Sequence, residues 1–155
     1  MRVSTKFPVA VHAMIMIAGL SDKEKVNSDK ISESTGVNAV IIRNIFKSLK
    51  KAKLIIVSPG PGGTTLARSP ADITLWDIFS AVESKEIDDI FKFHQNPSDN
   101  CPVGSNIYGL LKTHLDDAVH ALKIELSKVT LVMLLEELFA QVPDLPHDNN
   151  ASTIE

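Results

Sequence analysis

Arg43, Asn44, Lys47, Lys50 and Lys51 are the residues whose types and spacing could do chemistry. At about 100° per residue on a helix they fall in one arc, with Val40 beside them near the N-terminal end. Cations so arranged can meet phosphate oxygens, and arginine or asparagine can also bond to base edges in a DNA major groove. The other face is apolar: Ile42, Ile45, Phe46, Leu49 and Ala52 recur at helical spacing. That pattern predicts an amphipathic helix over 38–53, capped by Asn38, with its basic face turned to solvent. A second group with chemical potential is the thiol of Cys101. As the chain's one cysteine, it excludes an intrachain disulfide and any cluster held by several cysteines of one chain.

A basic arc can be no more than a solvated helix face, so the elements that position it decide what it means. Before it, Asn27 or Ser28 can cap a short helix over 29–35 that ends at Gly36. Two helices joined by so short a turn match a helix-turn-helix, whose second helix enters the major groove while the first crosses the backbone. After it, the β-branched run 54–58 leads to Pro-Gly-Pro-Gly-Gly at 59–63, and 64–68 can return as a second strand. This glycine run lacks the lysine and the following helix of a phosphate loop, so it reads as the turn of a wing.

The N-terminal part predicts a strongly hydrophobic helix over 5–20, with Pro8 in its first turn, and His12 reads as a structural or surface residue. Beyond the wing, 73–84 forms another amphipathic helix with Thr74 as N-cap and Trp76 as packing, and 94–101 reads as irregular loop. From 106 to 141 no proline interrupts a helical pattern. Leu111, Leu115, Ala118, Leu122, Leu126, Val129 and Met133 step along it by threes and fours. A continuous helix there would be about 50 Å long, too long for this small domain to cover, so its expected partner is the same helix of a second copy. The tail 143–155 reads as disordered. The expected class is mainly α with a small β-hairpin wing: a winged helix-turn-helix over 1–84, a sensor loop and dimerisation helix over 85–142, and the tail.

Charge follows the same division. Residues 1–68 carry 11 Lys and Arg against 4 Asp and Glu, while 69–155 carry 5 against 15, within a net charge of −3. The basic part is a candidate footprint for double-stranded DNA. No stretch reaches the roughly 18 apolar residues of a membrane span, and the first apolar run is broken by Lys6, Pro8 and His12, so a cytoplasmic protein is expected. No triad or carboxylate pair stands out, which argues against an enzyme.

Residues 31–36 (ISESTG), 38–53 with Arg43 and the ending LKKA, 60–67 (GPGGTTLA), 73–78 (ITLWDI) and 101–104 (CPVG) together resemble the Rrf2 family of bacterial winged-helix transcription regulators. The resemblance spans about residues 2–142. It implies a homodimer joined by the long helix and reading an inverted repeat, with Arg43 and Asn44 on base edges, Lys47 and its neighbours on phosphate, and the Gly62-Gly63 wing in or near the minor groove. Ser28, Asn38, Val40, Lys50, Lys51, Thr64 and Thr65 complete the candidate DNA contacts. Many members of the family hold an iron–sulfur cluster with three cysteines before the long helix. Here Cys101 stands there alone, with His94, His114 and His120 nearby, so no cofactor or metal is expected and the chain looks most like the cluster-free, YwnA-like branch. The wing also lacks the arginine and tyrosine that often flank its glycines, and Ala39 stands where proline is common. The resulting expectation is a transcription regulator, in the repressor sense, with Cys101 as a redox sensor and a small-molecule or redox effector. The competing readings are a winged-helix module that binds protein instead of DNA, and a metal-dependent or cluster-dependent sensor.

Overall fold

The computed structural model describes residues 4–83, 90–143 and 145. Helix α1 (Lys6–Leu20) buries Ala10, Ala13, Met14 and Ile17, one face at helical spacing, and forms the floor of the core. Helix α2 (Ser28–Thr35) begins one residue earlier than its sequence suggests. Asn27 is the cap, its side chain accepting from the Lys30 amide at 2.9 Å, and Ser28 lies inside the first turn. Gly36 ends α2 in the left-handed region at φ 69°, a conformation that costs glycine nothing.

Helix α3 (Ala39–Lys51) follows at once. Asn38 Oδ1 accepts from the Val40 amide at 2.8 Å, and Ile42, Ile45, Phe46 and Leu49 are buried. The wing is an antiparallel hairpin of β1 (Ile55–Ser58) and β2 (Gly63–Leu66), in register from Ile55 opposite Leu66 to Ser58 opposite Gly63. Its turn needs glycine for space, because a Cβ on Gly62 would lie 2.4 Å from the Ser58 Cβ. Helix α4 (Leu75–Val82) opens with a reciprocal cap. The Asp77 amide donates to Thr74 Oγ1 and the Thr74 amide to Asp77 Oδ2, at 3.1 and 2.9 Å. Trp76 stacks on Phe79, which also meets Phe7 edge-on.

One expectation is corrected. The C-terminal pattern is two helices, α5 (Ile107–Ser127) and α6 (Leu131–Gln141), where a continuous one was expected. The break comes from pairing at a distance. Thr130 is extended and bridges Thr74, the Leu75 amide donates to the Val129 carbonyl at 2.9 Å, and the Leu131 amide donates to the Ile73 carbonyl at 2.8 Å. Thr130 also caps α6 through the Met133 amide. The chain therefore turns, and α6 packs on α1 with Leu131 and Leu135 buried. Leu131 joins the core formed by α1 to α4, so α6 belongs with the N-terminal unit. Helix α5 alone, about 32 Å long for its 21 residues, lies outside that core, and none of its residues is buried. The tail, save Leu145, and residues 84–89 lie outside the described residues.

Candidate nucleic-acid interface

The cap at Asn38 and the buried stripe fix how α3 is rotated, and so fix what it presents outward. Arg43, Asn44, Lys47, Lys50 and Lys51 are all exposed, with Val40 among them at 57% exposure. The structure thus gathers every basic residue named for this helix onto one solvent face. Ile41, at 46% exposure, was missing from that set, because helical spacing places it at the edge between the two faces. Lys53 follows α3 with φ 58° and is exposed as well.

Arg43 has a partner that spacing alone did not reveal. Its Nη2 lies 3.4 Å from Asp29 Oδ1 in the first turn of α2, and both side chains are largely exposed. Asp29 suits the positive end of the α2 dipole. An ion pair so exposed is worth at most about 1 kcal/mol after solvent screening, so it can orient the guanidinium without trapping it.

The wing divides into an anchor and an edge. The Thr64 amide donates to the Val26 carbonyl at 2.9 Å, Gly63 is buried, and Thr64 is 2% exposed. Those two candidates face inward and hold the hairpin to the loop between α1 and α2. Thr65 is half-buried, and the outward edge is 59–62, with the side chains of Ile56 and Val57 exposed on β1. Lys25 Nζ donates to the Gly60 carbonyl at 2.6 Å and ties the turn down. No sequence signal marks that contact, since it joins residues 35 positions apart. Ser28 is half-buried at the start of α2.

Cys101 is exposed in the loop before α5. The backbone amides of Gly104, then of Val103, hold the thiol below its ordinary range, against an opposing effect of burial. His94, His114 and His120 are exposed. Among the described residues no three His, Cys, Asp or Glu come together as metal ligands, and the chain has one cysteine, so its donor set does not fit a cluster held by three thiolates. Near this loop, Phe91, Phe93, Tyr108, Lys112, Leu115, Asp116 and Val119 line an open groove of about 400 Å³. No described helix is long and apolar enough to cross a membrane.

The chain is similar to known proteins over most of its length. The profile of the Rrf2 family, described as iron-dependent transcriptional regulators, matches residues 3–137. YwnA of Bacillus subtilis (strain 168), named as an HTH-type transcriptional regulator, is 32% identical over 137 residues, which is 88% of this chain and 99% of YwnA. A crystal structure of a transcriptional regulator from Lactobacillus plantarum aligns at a TM-score of 0.72 with 27% identity, covering 86% of this chain and 89% of that one. T. potens IscR aligns at 0.68 over 92% and 91% of the two chains, and at 24% identity it speaks for the fold alone.

Proposed function

The chain belongs to the Rrf2 family of transcriptional regulators, and we propose that it is a sequence-specific repressor that reads an inverted-repeat operator as a homodimer. The observation that carries this reading is the outward face of α3, where Arg43, Asn44, Lys47, Lys50 and Lys51 lie exposed beside a wing. In this reading α3 enters the major groove. Arg43 and Asn44 meet base edges, and Lys47, Lys50 and Lys51 meet phosphates. Asn38 and Ser28 lie at the groove wall, Val40 faces into the groove beside Arg43 and Asn44, and the wing approaches the backbone through 59–62 and Thr65, with Gly63 and Thr64 as its internal anchor.

The homodimer is formed through α5, in support of which its apolar residues Tyr108, Leu110, Leu111 and Ile124 stand exposed. The unit of α1 to α4, the wing and α6 binds DNA, and residues 90–127 pair and sense. Cys101 is the redox-responsive group of that sensing part, in keeping with its exposure and with the nearby Gly104 and Val103 amides that lower its pKa. Such a regulator works in the cytoplasm, where its DNA is.

The test is selection of bound sequences from a random duplex library by the purified protein at two salt concentrations. An inverted repeat enriched at low salt and lost at high salt is the expected result. Binding without sequence preference or salt sensitivity would instead favour a winged helix that docks on protein.

A further inference from the structure

Val40 is an apolar residue set among cations. It lies three residues before Arg43 and four before Asn44, on the same helix face, and is 57% exposed. Its amide is held by the Asn38 side chain at 2.8 Å, so its Cα is fixed at the very start of α3. Valine in a helix has one strongly preferred rotamer, which aims its two methyl groups in one direction. Scattered exposed apolar residues are ordinary on a protein surface and mean little alone. The setting of this one is different. Arg43, Lys47 and Lys50 around it match a polyanion, and the N-terminal residues of a recognition helix are those that reach base edges.

Resting on the DNA-binding reading, we infer that Val40 reads the 5-methyl group of a thymine in each operator half-site. In the major groove thymine is the one unmodified base that carries a methyl group. A valine there meets it by apolar contact, without polar groups to desolvate. The rise from Val40 to Arg43 is about 4.5 Å, against 3.4 Å per base pair, so the thymine lies within about two base pairs of the base that Arg43 contacts. Ile41 is the internal control. It is exposed to a similar degree, at 46%, but is turned about 100° from Val40 and away from Lys47 and Lys50.

The experiment takes the operator found by selection and replaces each thymine in turn with deoxyuridine, which pairs as thymine does and lacks only the methyl group. Binding is read by fluorescence anisotropy for the native chain, Val40→Ala and Ile41→Ala. For the native chain, one substitution per half-site weakens binding about four-fold, the equivalent of one buried methyl. Val40→Ala binds the two duplexes equally, and Ile41→Ala keeps the four-fold difference. Both side chains are exposed, so each variant should fold as the native chain does, with circular dichroism as the check. Uracil tolerated at every position, a Val40→Ala protein that still prefers thymine, or a half-site without thymine near the Arg43 contact would overturn the inference while leaving DNA binding intact. Failure to retain any duplex would remove the DNA reading itself, and this inference with it.

Discussion

Helices α3 and α5 both leave a broad surface outside the core, but the surfaces differ in kind. Helix α3 is divided cleanly, with four apolar residues buried and an outward face dominated by arginine and lysine. Helix α5, which packs on α4, has no fully buried residue. Leu115, Val119, Leu122 and Leu126 are half-buried, and its exposed residues mix Lys112, Asp116, Asp117 and Glu125 with Tyr108, Leu110, Leu111 and Ile124. A face of one charge sign attracts a polyanion from a distance. A surface on which exposed apolar side chains are set among charges of both signs gains from a surface like itself, and no polyanion is suited to it. On the function proposed above, that difference matches α3 to DNA and α5 to a second copy of the chain.

The largest expected effect breaks the α5 half of this contrast. Ala118 is exposed midway along α5, so Ala118→Glu should leave the melting temperature of a single copy nearly unchanged. Against a second α5 it would place a carboxylate at the helix crossing. Dimer dissociation should then strengthen by about a hundred-fold or more, read by sedimentation velocity. A dimer that survives the change would place the pairing surface elsewhere.

On α3 the expected effects are smaller and differ between residues. Arg43→Ala should cost about 1–3 kcal/mol on the operator and flatten the base preference at one position, seen in competition with single-base variants. Lys47→Ala and Lys50→Ala should weaken operator and mixed-sequence duplexes alike, each lowering the slope of log affinity on log salt by about 1. If Lys47→Ala changed base preference and Arg43→Ala did not, the roles along the helix would have to be exchanged.

The smallest effect concerns the loop that precedes α5. The Gly104 and Val103 amides lower the Cys101 pKa, so its thiolate persists to lower pH than an unperturbed thiol allows. The pH midpoint of iodoacetamide alkylation should fall below that of the same cysteine in urea. Coincident midpoints would take that advantage away from Cys101 as a sensor.

Much of α3 and its surroundings was legible in the sequence because the determinants are local. Asn38 as cap, Gly36 as terminator, the Ile42 to Leu49 stripe and the Thr74 cap are all settled by neighbours a few positions away. What was not legible depends on distant partners. Val129 and Thr130 can sit in a helix, and only the pairing of 129–131 with 73–75 pulls them out of one and redirects α6 onto α1. Gly63 and Thr64 look like exposed wing residues until Val26 takes the Thr64 amide. The Asp29 partner of Arg43 and the Lys25 tether of the wing likewise join segments 14 and 35 positions apart.

Lysine acylation read by mass spectrometry, with and without the selected duplex, compares the two helices in one sample. The account predicts that DNA shields Lys47, Lys50 and Lys51 on α3 and leaves Lys112 and Lys123 on α5 as reactive as before. Shielding of Lys112 and Lys123 with Lys47 and Lys50 still open would contradict it.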